Sequence, residues 1–81
     1  MGKKNKHSSY RERSLDLHGI IHSEVPLIVE NYILITPTPF VLITGNSHKM
    51  KLICTALLDT HKFKYNAKGT FFNPGTIEVF S

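Results

Sequence analysis

Two short segments that end in a glycine turn constrain the fold of this chain more than any other feature. They are Leu15–Gly19 (LDLHG) and Ile43–Ser47 (ITGNS). Each predicts a strand, then a glycine turn, then a helix start, and an amphipathic stretch lies between them. If the two strands are parallel, both turns and both helix N-termini meet at one edge of the same sheet. We expect the functional groups at that edge.

Composition limits the chain to one small folded domain. A chain of 81 residues has room for a single core, and one of this size buries only about 60% of its unfolded surface. The hydrophobic fraction of 41% indicates a folded rather than a disordered protein. The net charge of +4 favours polyanionic partners, of which nucleic acid is the most common. The single cysteine, Cys54, excludes an intrachain disulfide and a multi-cysteine metal site, and we expect it to be a core residue.

The chain divides into a basic arm over residues 1–13 and a domain over residues 14–81. The arm is either a solubilising tail or a segment that contacts phosphates. It lacks the apolar run of a signal peptide. The most apolar stretch, Val25–Ile35, contains Glu30 and Asn31 and is too short to cross a bilayer. We therefore expect a cytoplasmic protein with no membrane partner.

Hydrophobic spacing predicts the elements in the order β-α-β-α-β-β. The first strand covers Leu15–His18, with its leucines towards the core and Asp16 and His18 on the opposite face. Ser23 is the expected N-cap of the first helix, and Asn46 or Ser47 that of the second. The apolar helix positions are Val25, Ile28, Val29, Tyr32 and Ile33, then Met50, Ile53, Cys54, Leu57 and Leu58.

The remaining strands complete a sheet with one uncovered face. A continuous apolar run predicts a central strand over Phe40–Ile43. Alternation around Phe63 and Tyr65, and around Ile77 and Val79, predicts two more strands. Because a right-handed crossover puts both helices on one side, we expect a two-layer α/β sandwich, a four-stranded mixed sheet with two helices on one face. Candidates for the open face are Asp16, His18, Lys62 or Lys64, and Glu78.

The expected strand edge combines groups suited to a phosphate and to proton transfer. Helix N-termini present unpaired N–H groups to anions, and glycine lets a phosphate approach the backbone closely. The imidazole of His18 suits a general base or acid, and Asp16 two residues away is placed to orient it. Lys49 and Lys51 are either phosphate contacts or solvated surface lysines. The structural alternatives are that the glycines only form turns and that His18 is an ordinary structural residue.

Both glycine segments resemble motifs of one known family. Leu15–Gly19 resembles the LDLHG motif of the Smr (small MutS-related) domain, and Ile43–Gly45 resembles the start of its second motif, H-G-x-G or T-G-x-G. The resemblance spans about residues 15–81, and the expected order of elements agrees with the Smr fold. The chain departs from the pattern at Ser47, where the family has its second glycine.

The resemblance implies an endonuclease, a hydrolase that nicks or cleaves DNA or RNA, with Asp16 and His18 as catalytic residues. It also implies substrate-binding loops at Gly19, Thr44 and Gly45. The predicted nucleic-acid-binding set is Gly19, Thr44, Gly45, Asn46, Ser47, Lys49 and Lys51. The need for a divalent cation stays open, because one carboxylate and one histidine give little support to a two-metal mechanism. The alternatives are a non-catalytic nucleic-acid-binding module and a protein-interaction domain that uses the open sheet face, with Phe80 and either Phe71 or Phe72 as anchors for a partner.

Overall fold

The computed structural model describes residues 13–68 and 75–81. Its helices and strands follow the expected order. They are β1 (Ser14–Asp16), α1 (Val25–Ile35), β2 (Phe40–Ile43), α2 (His48–Thr60), β3 (Tyr65–Asn66) and β4 (Thr76–Val79), with a 3₁₀ turn over His22–Glu24 before α1. The fold is the expected α/β sandwich with a four-stranded mixed sheet.

The strands lie in the order β1-β2-β4-β3. β1 and β2 are parallel, whereas β4 is antiparallel to both β2 and β3. β2 is therefore central, as its continuous apolar run indicates, and has a paired strand on each side. In the register, Asp16 lies beside Ile43 and Ile43 lies beside Thr76. This row marks the end of the sheet at which β1 and β2 finish.

Alternation along the strands divides the sheet into a core face and an open face. Phe40 pairs with Val79 and Leu42 with Ile77, and these four side chains are at most 1% exposed. The intervening residues of the two strands, Val41, Ile43, Thr76 and Glu78, lie on the other face. This division follows from the two-residue period of a strand.

Each helix buries the face that its apolar spacing predicts. Val25, Val29 and Ile33 of α1 are buried, as are Met50, Cys54 and Leu58 of α2. The two helices pack against each other and share one core with the strands. Cys54 is fully buried, and burial raises the pKa of its thiol to about 11. Cys54 is thus the core residue that we expected. Burial also favours its neutral thiol over the thiolate, which is the nucleophilic form.

Two predictions at the start of the chain are wrong in detail. β1 ends at Asp16 rather than His18, because the Asp16 carboxylate accepts a hydrogen bond from the His18 N–H and begins a turn. Ser23 does not cap α1; it lies in the 3₁₀ turn, and Glu24 holds the N-cap position without a side-chain cap bond. With Ser23 as N-cap, the third helical residue would be Pro26, which has no N–H to donate.

The end of α2 explains why β3 is shorter than predicted. Lys62 has a φ of +61°, its N–H donates to Asp59 O, and the Phe63 N–H donates to Leu58 O. These two bonds and the left-handed residue form a Schellman motif. Lys62 therefore ends the helix and does not lie on the open sheet face. The sheet pairing resumes at Lys64, which accepts a bond from the Phe80 N–H.

Some expectations fall outside the described residues. They concern residues 1–12 of the predicted arm and the turn residues 69–74, which include Phe71 and Phe72. Arg13, assigned to the arm, is already joined to the sheet, because its carbonyl accepts a 3.0 Å bond from the Val41 N–H. Within residues 13–68 and 75–81, no helix is both long enough and apolar enough to cross a membrane.

Candidate functional site

The turn after β1 is held by the carboxylate of Asp16. Asp16 Oδ1 accepts a 2.9 Å hydrogen bond from the backbone N–H of His18. Asp side chains commonly form this type of turn with the residue two positions further on. Within the described part of the chain, neither the second carboxylate oxygen nor the His18 ring has a hydrogen-bond partner. Asp16 thus fixes the backbone turn and is engaged with the N–H of His18 rather than with the imidazole.

Asp16 and His18 are both exposed on the solvent side of this turn. Leu17 between them is fully buried, and its N–H donates to Ile43 O at 2.9 Å. The turn then closes through the Ile20 N–H, which donates to Leu17 O at 3.1 Å. A buried leucine therefore anchors two accessible, chemically active side chains directly beside the end of β2.

Gly19 continues the turn in a conformation that favours glycine. Its φ is +83°, and a Cβ added there would meet nothing within 4 Å. Position 19 favours glycine because of this backbone angle, and not because a side chain would lack room. The open space above it is compatible with the predicted approach of a ligand to the backbone.

The turn after β2 is tied to the start of β4. Gly75 O accepts hydrogen bonds from the Thr44 N–H at 2.8 Å and the Gly45 N–H at 3.0 Å. The Thr44 hydroxyl lies 3.1 Å from the same carbonyl oxygen and 3.1 Å from Gly45 O. Thr44 is only 2% exposed. The backbone N–H groups of Thr44 and Gly45 are thus both bonded within the fold, and Thr44 is buried.

Gly45 and Gly75 approach each other so closely that Gly75 has no room for a side chain. A Cβ at Gly75 would lie 2.7 Å from Gly45 O and 2.8 Å from its carbonyl carbon and Cα. Gly45 itself has a φ of +67° and open space where its own Cβ would be. One face of Gly45 is therefore packed against Gly75, and another is accessible.

The N-terminus of α2 follows at once and is capped by Ser47. Ser47 Oγ accepts a 3.1 Å bond from the Met50 N–H, and Ser47 O accepts one from the Lys51 N–H. The N–H groups of His48 and Lys49 make no hydrogen bond within the described part of the chain. Such groups carry the partial positive charge of the helix dipole. Of the two expected caps, Ser47 is the one that the structure shows, while Asn46 is exposed in the turn.

The basic side chains near this edge differ in exposure. Lys49 and His48 are exposed, whereas Lys51 is half-buried. Lys51 O also accepts a bond from the Thr55 hydroxyl one turn along α2. Across residues 13–68 and 75–81, no group of three His, Cys, Asp or Glu side chains is arranged to hold a metal ion.

The structure brings most of the predicted residues to one sheet edge. Because Asp16 and Ile43 are paired neighbours in parallel strands, the Asp16–Gly19 turn and the Thr44–Ser47 turn leave the sheet side by side. The exposed groups there are Asp16, His18, Gly19, Asn46 and Lys49, and Thr44 lies beneath them. Gly75 was missed as a site residue. In the sequence it is one of several turn-forming residues between Asn66 and Gly75, and nothing local indicates that its carbonyl joins β2.

The chain matches no family model, and no curated protein and no solved structure is significantly similar to it. The resemblance to the Smr family therefore rests on the two motifs and on the order of elements.

Proposed function

We propose that this protein binds nucleic acid at the edge formed by the ends of β1 and β2, and that it cleaves or nicks phosphodiester bonds there. The observation that carries the proposal is the exposure of Asp16 and His18 at the sheet edge from which the turn into α2 leaves. A carboxylate and an imidazole supply proton transfer, while a helix N-terminus suits a phosphate. The net charge of +4 favours the approach of a polyanion. The Smr resemblance points to the same chemistry.

In this proposal each group has a defined task. The phosphate lies near the His48 and Lys49 N–H groups and the Lys49 ammonium, which stabilise the charge that develops on its oxygens. Neutral His18 accepts the proton of the attacking hydroxyl, either water or a ribose hydroxyl, as that oxygen bonds to phosphorus. The bond from phosphorus to the leaving oxygen breaks, and imidazolium returns a proton to that oxygen. Asp16 holds the turn that carries His18, and its negative charge stabilises the imidazolium that forms there.

Asp16→Asn is the sharpest test of a catalytic carboxylate. The Asn side-chain oxygen can still accept the bond from the His18 N–H, so the turn is retained while the negative charge is lost. We expect cleavage of structured RNA or supercoiled DNA to fall by roughly 10²-fold or more, the lower range for loss of a positioned acid–base group. His18→Gln is expected to show a similar loss. The assay is run with and without Mg²⁺ or Mn²⁺.

Glu78→Gln is the matched control. Glu78 is a half-buried carboxylate on the open face of the same sheet, and it pairs with Val41 and Asn66 away from the edge. Its variant should cleave at the wild-type rate. Full activity of Asp16→Asn, or equal losses in Asp16→Asn and Glu78→Gln, would contradict the catalytic assignment.

A non-catalytic nucleic-acid-binding module is the second candidate, and one observation favours it. Ser47 stands where the Smr motif has a glycine, and its hydroxyl is used as the cap of α2. The carboxylate of Asp16 is likewise engaged with the backbone. This candidate predicts affinity that falls steeply with salt, with a slope set by the number of phosphates neutralised, but no cleavage. A slope near zero would contradict both nucleic-acid candidates.

A further inference from the structure

Gly75 lies outside both glycine segments of the sequence, yet it contacts the second of them directly. It immediately precedes β4, which pairs with β2 through Thr76 and Ile43. Its carbonyl oxygen accepts hydrogen bonds from the N–H groups of Thr44 and Gly45, and it lies within hydrogen-bond distance of the Thr44 hydroxyl. The contact therefore sits just beyond the cross-strand row that contains Asp16, at the proposed nucleic-acid site.

We propose that Gly75 is a positioning residue, which sets where the Thr44–Ser47 turn and the N-terminus of α2 stand relative to Asp16 and His18. The inference takes its ligand, a nucleic acid, from the proposed function. The positioning role itself is argued from the contacts of Gly75. Gly75 acts through the backbone of Gly45 and touches no substrate.

Two features make this contact a rigid one. Two backbone N–H groups donate to a single carbonyl oxygen, at 2.8 and 3.0 Å, the Thr44 hydroxyl lies 3.1 Å from it, and Thr44 is almost fully buried at 2% exposure. In addition, a Cβ at position 75 would stand 2.7–2.8 Å from three backbone atoms of Gly45. Backbone atoms cannot rotate away as the end of a side chain can. A side chain at position 75 must therefore displace the turn.

The contact also determines which groups are left for a phosphate. The Thr44 and Gly45 N–H groups are bonded to Gly75, so the proposed function assigns the phosphate to the N–H groups of His48 and Lys49 at the start of α2. Those donors can act together with Asp16 and His18 only if the turn holds α2 in its present place. Gly75 is the residue before β4 that makes this connection.

Gly75→Ala tests the inference directly. We expect the folded variant to bind a structured RNA or DNA oligonucleotide more weakly by at least roughly tenfold, and to lose cleavage by about 10²-fold, since a misplacement of about 1 Å costs that much in rate. Amide hydrogen exchange at Thr44 and Gly45 should speed up. Ile33→Val is the matched control: it weakens the core at Ile33 in the last turns of α1, away from the edge, and should leave affinity unchanged.

Thr44→Val and Thr44→Ser keep the inference testable if Gly75→Ala does not fold. Valine removes the hydroxyl that reaches Gly75 O, and we expect a several-fold loss of affinity; serine retains the hydroxyl and should restore binding. A Gly75→Ala protein with faster exchange but unchanged affinity and cleavage would overturn the positioning role. So would equal binding by the two Thr44 variants. Wild-type protein without salt-dependent binding would instead overturn the proposed function itself.

Discussion

At the scale of single residues, backbone geometry explains more of this molecule than side-chain chemistry does. Gly19 and Gly45 have φ values of +83° and +67° with open space where a Cβ would lie, whereas at Gly75 the backbone of Gly45 is too close for a Cβ. Lys62 has a comparable angle of +61° although it is not glycine. The left-handed region costs a residue with a side chain roughly 1–2 kcal/mol. Lys62 is therefore a strained position in the Schellman motif that ends α2.

Lys62→Gly is expected to stabilise the protein by about 0.5–1 kcal/mol, because relief of the left-handed strain exceeds the entropy that glycine loses on folding. The measurement is the free energy of unfolding from urea denaturation. Lys64→Gly is the control, since Lys64 continues the pairing of β3 with β4 and has no positive φ. It should destabilise by a similar amount. Equal destabilisation by both glycines would contradict the strain at Lys62.

At the scale of elements, the caps show how far local sequence determines a helix start. Ser47 and Ser23 both precede an amphipathic helix, but only Ser47 accepts a bond from a backbone N–H. Of the two N–H groups that a Ser23 cap could use, that of Val25 donates to His22 O and Pro26 has none. α1 begins instead through a 3₁₀ turn, in which the Glu24 N–H donates to Ile21 O at 2.9 Å. The residues that follow the serine therefore decide whether its side chain caps the helix.

Ser47→Ala should therefore lower the free energy of unfolding by about 1 kcal/mol, the usual loss for a helix N-cap. Ser23→Ala should change it by less than about 0.5 kcal/mol, as expected for an exposed residue without a cap bond. Both values come from the same denaturant titration. A larger loss at Ser23 than at Ser47 would contradict the assigned caps.

The elements also show which parts of the structure can be predicted from sequence. The positions of the apolar residues are sufficient to predict α1, α2 and the central strand β2. Each helix has one apolar face that it buries, and the continuous apolar run of β2 lies between two paired strands. The end of β1 depends on an Asp16 side-chain bond, and the length of β3 on the Schellman motif at Lys62; both replace strand pairing with a local alternative. Gly75 could not be predicted as part of the site, since its bond with Thr44 joins residues 31 positions apart along the chain.

At the scale of the whole molecule, the two faces of the sheet differ, because both helices pack on the same one. On the other face, Val41, Ile43 and Glu78 are half-buried and Thr76 is buried. The protein-interaction alternative stays a prediction. Of its expected anchors, Phe80 is 52% exposed, while Phe71 and Phe72 lie outside the described residues. α1 adds exposed apolar side chains at Leu27 and Leu34. The proposed nucleic-acid site lies at neither surface but at the edge where β1 and β2 end.

An NMR titration with a short structured oligonucleotide tests that location most directly. We expect the amide shifts to concentrate at Gly19 and at residues 46–49 and to weaken as salt is added, while the C-terminal turn of α2 around His61 stays unchanged. Addition of the oligonucleotide to Asp16→Asn should shift the same amides, because that variant keeps its turn. Shifts centred on the exposed face of α1 or on Phe80, or no shifts at low salt, would contradict a nucleic-acid site at the ends of β1 and β2.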